Sequence, residues 1–311
     1  LSSLPLTGLI CHKVKRRYYS AILATPFLSG LLAILCKKEI DNIPVIYEDV
    51  DRFYDFFKEP VKKLIVKALE SYIIKASDAV IAVSPYLYIE DRYVRNNNKT
   101  FFVPNGIEYK KIRKIASEKK IRDEFTIVYV GAIEWWSGLD LAIDSMAYIT
   151  KKASKARLII IGEYRTPYGI KLLKRIKSLN LSDKVIFLGR RSYSEVIELL
   201  SRSYVGIQPF PISDVTLKAF PYKILEYGAA GLPIVITNVS ILAKFVEKYK
   251  AGFVVKPNPE EFANAVLQIF SDKKLWLELS ANSIKMASLF DVEKLAREEA
   301  NIIMNIAHLH T

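Results

Sequence analysis

Residues 205–237, VGIQPFPISDVTLKAFPYKILEYGAAGLPIVIT, read as a strand ending at Pro209-Phe210, a loop, a helix opening at Pro221 and a second strand entered at Pro233. Proline suits the first turn of a helix and glycine its end, and Pro221 and Gly231 occupy those places. Lys223 and Glu226, three residues apart, fall on one face of that helix. The start of a helix favours a phosphate group, and a carboxylate one turn further in suits ribose hydroxyls. An amphipathic helix carrying an ordinary exposed Lys–Glu pair is the plain alternative.

Outward from this stretch the alternation continues. Strands are expected at 126–130, 156–161 and 184–188, with helices at 139–147, 170–179 and 193–201. After 237 come a helix at 240–249 and a helical tail in pieces from 259 to about 307. An earlier set has strands at 21–25, 43–50, 79–83 and 101–103, with helices at 28–39 and 60–75. Strand–helix–strand alternation implies parallel sheets covered by helices. The charge-dense segment 110–122 separates the two sets and reads as a linker. The expected class is α/β, with two facing Rossmann-like domains: 1–109, the linker 110–122, 123–289, and a helix at 290–311 packing back on the first domain. In such sheets ligands sit at the carboxyl ends of the strands, so a shared ligand is expected in the cleft between domains.

Composition narrows the chemistry. The 311 residues are 51% hydrophobic, enough for two cores, with a formal charge of +13. That excess favours anionic partners, and the lack of any arginine-rich run or nucleic-acid motif disfavours nucleic acid. His12, His308 and His310 lie at the ends of the chain, so a histidine base or histidine metal site in the middle of the fold is excluded. Cys11 and Cys36 exclude a disulfide framework and a cysteine zinc site, and fit a reducing compartment. The chain begins at Leu1 with no signal peptide in view. The uncharged stretch 18–36 is just long enough to cross a bilayer, but Pro26, Ser29 and Gly30 interrupt it, which favours a buried strand followed by a helix.

The decisive stretch resembles the donor-binding motif of family 4 glycosyltransferases, P-x-K-x-x-E-Y-x-A-x-G-x-P-V, through Pro221, Lys223, Glu226, Tyr227, Ala229, Gly231 and Pro233, with Ile234 for the valine. Segments 76–85 (ASDAVIAVSP), 103–107 (VPNGI), 127–145 (IVYVGAIEWWSGLDLAIDS) and 185–189 (VIFLG) resemble further family motifs in the family's order. The resemblance implies the GT-B fold and transfer of a sugar from a nucleotide-sugar donor, a UDP- or GDP-sugar, to a glycan or lipid-linked acceptor. It implies retention of configuration, no metal and no cofactor beyond the donor substrate. Donor-binding positions carried over are Gly131, Arg191, Phe210, Lys218, Pro221, Tyr222, Lys223 and Glu226.

Three departures stand out. Lys218 replaces the first carboxylate of a family pair, Ala132 and Ser137 replace two diphosphate-binding cations, and the first amino-terminal strand and loop are missing, so that domain is expected to be incomplete. Lys218 and Lys223 are candidates to supply the lost charge. On the acceptor side, Glu48, Asp49 and Asp51 close a predicted strand, and Asp51, which matches the last aspartate of the Y-D-x-x-D pattern, is the candidate catalytic base; a solvated acidic loop or helix cap is the alternative. Segment 56–75 mixes Lys58, Lys62, Lys63 and Lys67 with apolar residues, which suits an anionic membrane surface or a helix packed on the sheet. The expected location is cytoplasmic, peripheral at the inner face of the membrane. A catalytically impaired donor-binding domain and a nucleotide-sugar epimerase of the same fold are the alternatives.

Overall fold

Short β-branched runs form the strands and periodic apolar stripes the helices. The computed structural model describes residues 19–37, 43–96, 98–118 and 121–309. One unit comprises the residues up to Asn105 with those from Glu293 onward; the other is Gly106–Val292.

In the first unit, β1 (Ile22–Ala24), β2 (Val45–Asp49), β3 (Ala79–Ala82) and β4 (Thr100–Phe102) form one parallel sheet in that order. Helices α1 (Phe27–Lys37), α2 (Pro60–Ala76) and α3 (Pro85–Arg95) connect them. Every residue of β3 is buried, as expected of a strand covered on both faces. Proline opens both α2 and α3, and the Ser84 hydroxyl caps α3 by accepting the Leu87 amide. Stretch 18–36 thus gives a strand and a helix, with Tyr18 outside the described residues. Among the described residues no helix is long and apolar enough to cross a membrane. Cys36 is buried and engaged in a disulfide, which corrects the reading of the cysteines as fitting a reducing compartment. A single bridge does not build a framework.

In the second unit, β5 (Thr126–Val130), β6 (Arg157–Ile161), β7 (Val185–Gly189), β8 (Val205–Gln208), β9 (Ile234–Thr237) and β10 (Gly252–Val255) are all parallel, in the order β10-β9-β8-β5-β6-β7. The chain first builds outward from β5 to β7, then returns to the other side of β5, so the order reverses between β5 and β8. The helices are α4 (Tyr109–Ser117), α5 (Leu139–Lys152), α6 (Pro167–Ser178), α7 (Tyr193–Arg202), α8 (Asp214–Lys218), α9 (Tyr222–Ala229), α10 (Ile241–Tyr249), α11 (Pro259–Ser271) and α12 (Lys273–Ala287). A last helix, α13 (Val292–His308), ends the described chain. The core holds Tyr129, Tyr204, Tyr227 and Phe262, all essentially inaccessible. The Tyr227 hydroxyl still finds a partner, accepting the Val130 amide at 2.8 Å.

Segment 110–122 differs from the linker reading. Helix α4 buries Ile112, and Arg113 Nη1 donates to the Ala229 carbonyl at 3.0 Å. Arg122 donates to the carbonyls of Ser203 at 2.8 Å and Ala230 at 2.5 Å. These guanidiniums satisfy carbonyls left over at the carboxyl ends of α7 and α9, so the charge caps helices of the second unit. The chain passes between units at Asn105/Gly106 and again at Val292/Glu293. Helix α3 and strand β10 were absent from the sequence-based expectation.

Candidate functional site

The reversal between β5 and β8 fixes where a ligand belongs, since strands that diverge leave a crevice at their carboxyl ends. Gly131 follows β5 there and Phe210 follows β8. Lys223, in the first turn of α9, extends into the same place: its Nζ donates to the Tyr129 hydroxyl at 3.0 Å. The ammonium lies 4.2 Å from the centroid of the Tyr129 ring and 5.9 Å from that of Phe210. Gly131 has φ +137°, and a Cβ there would stand 2.7 Å from Lys223 Nζ. Glycine is therefore favoured by the backbone, and it leaves room for the end of the lysine beneath it. Burial pushes the Lys223 ammonium down to about 7, against the opposing pull of Glu226.

Glu226 lies one turn further along α9. Its carboxyl is raised by burial and hydrogen-bonded to the Tyr193 hydroxyl, at the start of α7. Lys111 Nζ stands 5.4 Å from the Tyr193 ring centroid. Pro221 occupies the cap position before α9, and Tyr222 is exposed. Lys218 ends α8, a five-residue helix within the expected loop, capped by Ser213 and Thr216.

Beside Gly131 opens a cavity of about 490 Å³ whose wall includes Ile133, Glu134, Gly162, Arg190 and Arg191. Arg191 and Gly131 thus line one cavity. Of the two missing cation positions, Ala132 lines this cavity and Ser137 is completely buried. Gly138, with φ +70°, packs its α-carbon against the Pro209 carbonyl, drawing the loops after β5 and β8 together. Trp135 in the same loop is 53% exposed. A hollow of about 510 Å³ lined by Phe125, Lys152 and Gln268 lies at the amino ends of the strands, away from these groups. The sequence reading missed Tyr129 and Tyr193, since aromatic residues near strand and helix ends look like ordinary core.

The pattern of Glycosyl transferases group 1 matches residues 110–286, more than half of the chain and the whole of this site. The chain belongs to that family. The chain is 25% identical over 211 residues to TuaH of Bacillus subtilis, named a putative teichuronic acid biosynthesis glycosyltransferase, with 66% of this chain and 51% of TuaH covered. An uncharacterised glycosyltransferase of Methanocaldococcus jannaschii, MJ1059, is 25% identical over 78% of this chain and 67% of its own length. The chain thus spans about half to two thirds of these relatives. A galactosyltransferase of Escherichia coli named for UDP-Gal and GlcNAc-diphosphoundecaprenol is 22% identical over 90% of this chain and 74% of its own length. Anabaena HepE in complex with UDP shares the fold with a TM-score of 0.80 and 19% identity, over 97% of this chain and 82% of HepE. Sucrose-phosphate synthase of Thermosynechococcus elongatus does so at 0.79 and 20%, over 98% and 78%. The two parallel-sheet units are those of the GT-B fold.

In the first unit, Asp51 stands two residues beyond β2, exposed at its carboxyl end, with its carboxyl raised by desolvation. Asp49 is buried and paired with Arg52, while Glu48 is half-buried on β2. Of the three acidic candidates, Asp51 presents the most open carboxylate.

Proposed function

We propose that the chain transfers a sugar from a UDP-sugar to a glycan or lipid-linked acceptor, with retention of configuration and without a metal. The observation that carries this is the convergence of Gly131, Phe210 and Lys223 at the strand-order reversal, with Glu226 one turn deeper. In a nucleotide-sugar the leaving group is a diphosphate, and negative charge grows on its bridging oxygen as the glycosidic bond breaks. A desolvated Lys223 held by a phenol becomes a positive charge for that oxygen as the diphosphate raises its affinity for a proton, and it acts most strongly where water is excluded. Glu226 accepts hydrogen bonds from the ribose, and Arg191 sits at the wall of the adjoining cavity. Lys218 and Lys223 replace the family cations lost at Ala132 and Ser137. Asp51 serves as base toward the acceptor hydroxyl. The UDP named for Anabaena HepE and for the Escherichia coli relative favours uracil as the base.

The location we propose is cytoplasmic, at the inner face of the membrane. Helix α2 buries Glu70, Ile73 and Ile74, while Val61 and Leu64 are 70% and 69% exposed among Lys58, Lys62 and Lys67. Apolar side chains ringed by lysines suit an anionic lipid surface, where a lipid-linked acceptor would reside.

Titration calorimetry with UDP, GDP and other nucleotide diphosphates, and then with their sugars, tests the donor reading. UDP should bind and uridine should bind more weakly. Failure of every nucleotide diphosphate to bind the folded chain would overturn it.

A further inference from the structure

Arg52 is a cation in an expensive place: it follows β2 in a connecting loop, yet only 6% of its surface is exposed. Nε donates to Glu90 at 2.8 Å and Nη2 to Asp91 at 2.6 Å, both on α3, while Nη1 pairs with Asp49 at the end of β2. Asp49 and Asp91 are wholly buried. From α2, Glu70 accepts the Phe53 amide at 2.8 Å and Lys63 pairs with Asp55 at 3.2 Å. The Asp55 amide in turn donates to the Arg52 carbonyl at 3.0 Å. Asp49, Arg52, Phe53 and Asp55 are each tied down, and Asp51 in their midst is exposed.

Stability does not account for such a cage. Buried ion triads are commonly no more stable than apolar side chains of the same volume, because each ion must leave water. Here one guanidinium faces two buried aspartates whose carboxyls bond to each other, and burial raises both, a cost that apolar packing would not carry. What directed ionic bonds add over apolar packing is a single geometry. A fork of N–H donors fixed by three carboxylates holds the loop in one arrangement, which grease of equal volume would not impose.

We infer that Arg52 is a positioning residue: its carboxylate cage fixes the 50–56 loop so that the Asp51 carboxylate meets the acceptor hydroxyl in one orientation. This rests on the reading of Asp51 as the acceptor-side base. A base displaced by about an ångström costs roughly a hundredfold in rate.

The test compares Arg52→Met with the apolar triple variant Asp49→Val, Arg52→Met, Asp91→Leu. Four quantities are followed: thermal unfolding, UDP affinity, amide hydrogen exchange at Asp55 and Phe57, and UDP release from UDP-galactose with GlcNAc-diphosphoundecaprenol as acceptor probe. Arg52→Met should unfold at lower temperature, and the triple variant should recover the native midpoint. UDP affinity should be unchanged in the triple variant. Its Asp55 and Phe57 amides should nevertheless exchange at least about tenfold faster, and UDP release should fall roughly a hundredfold. A triple variant with native midpoint and native exchange would overturn the inference, whatever the turnover of the probe. Asp51→Asn separates the two layers. Native turnover in Asp51→Asn would sink the base and the positioning role together. Slow Asp51→Asn beside a fast triple variant would sink the positioning role alone.

Discussion

Lys223 and Arg52 are both cations taken out of water, one in each unit, and their surroundings differ. Arg52 is met by three carboxylates at hydrogen-bonding distance, and these raise its basicity further. The hydrogen bond of Lys223 goes to the neutral phenol of Tyr129, and burial drives its ammonium down to about 7. A compensated ion is finished within the fold, where it can only hold shape. An ion bonded to a phenol, with the pull of Glu226 outweighed by burial, is on our proposal completed by an anion from outside. Stability, affinity and proton-linkage measurements can break this contrast or sharpen it.

The largest effect should come from Arg52. Arg52→Met leaves Asp49 and Asp91 buried without their cation and should cost about 3–5 kcal/mol in denaturant unfolding. Lys223→Met removes an ion already penalised by its surroundings and should cost far less; equal losses at the two sites would erase the distinction.

Next in size is Glu226→Ala, which should weaken UDP binding by about 1–3 kcal/mol in calorimetry, the scale of charge-assisted hydrogen bonds in a buried site. The folded variant binding UDP as tightly as the native chain would remove Glu226 from the donor site.

A smaller effect belongs to pH. Burial pushes the Glu70 carboxyl from 4.5 up to about 7, despite the amide hydrogen bond from Phe53. Below about 4.5 the group is protonated folded or unfolded, and its favourable contribution is complete. As pH rises through about 7 that contribution is lost, because the folded state must then bury a charge. Urea unfolding of the first unit should weaken across this window, and Glu70→Gln should flatten the slope. Asp49 and Asp91, also raised by burial, act in the same direction.

The smallest effect is expected at the membrane. Lys58→Glu with Lys62→Glu should reduce flotation with anionic liposomes, and added salt should do the same to the native chain. Flotation indifferent to both would place the contact elsewhere.

Much of the fold was legible because buried parallel strands are short continuous apolar runs, which residues 126–130 and 234–237 show plainly. Strand β10 escaped because its four residues are only half-buried at a sheet edge. Segment 110–122 misled because arginines that cap helix carbonyls look, in sequence, like arginines in water. Lys223 stood out in sequence by its place at a helix start, and Gly131 and Phe210 by the family resemblance; the fold brings the three together. Tyr129 was not, since nothing local distinguishes a phenol that holds an ammonium from one filling a core. The Arg52 cage was hidden in the segment YEDVDRF, whose partners Glu70, Glu90 and Asp91 come from α2 and α3 and are brought together only by the fold.

The most direct measurement of the donor assignment is the proton linkage of UDP binding. Calorimetry at about pH 8 in buffers of different ionisation enthalpy reports protons taken up on binding. Free Lys223, titrating near 7, is largely neutral there, and a diphosphate beside it raises its affinity for a proton. The native chain should therefore take up a fraction of one proton with UDP and none with uridine, and Lys223→Met should lose both the uptake and much of the preference for UDP over uridine. UDP binding with no proton uptake, at an affinity that Lys223→Met leaves unchanged, would contradict the account.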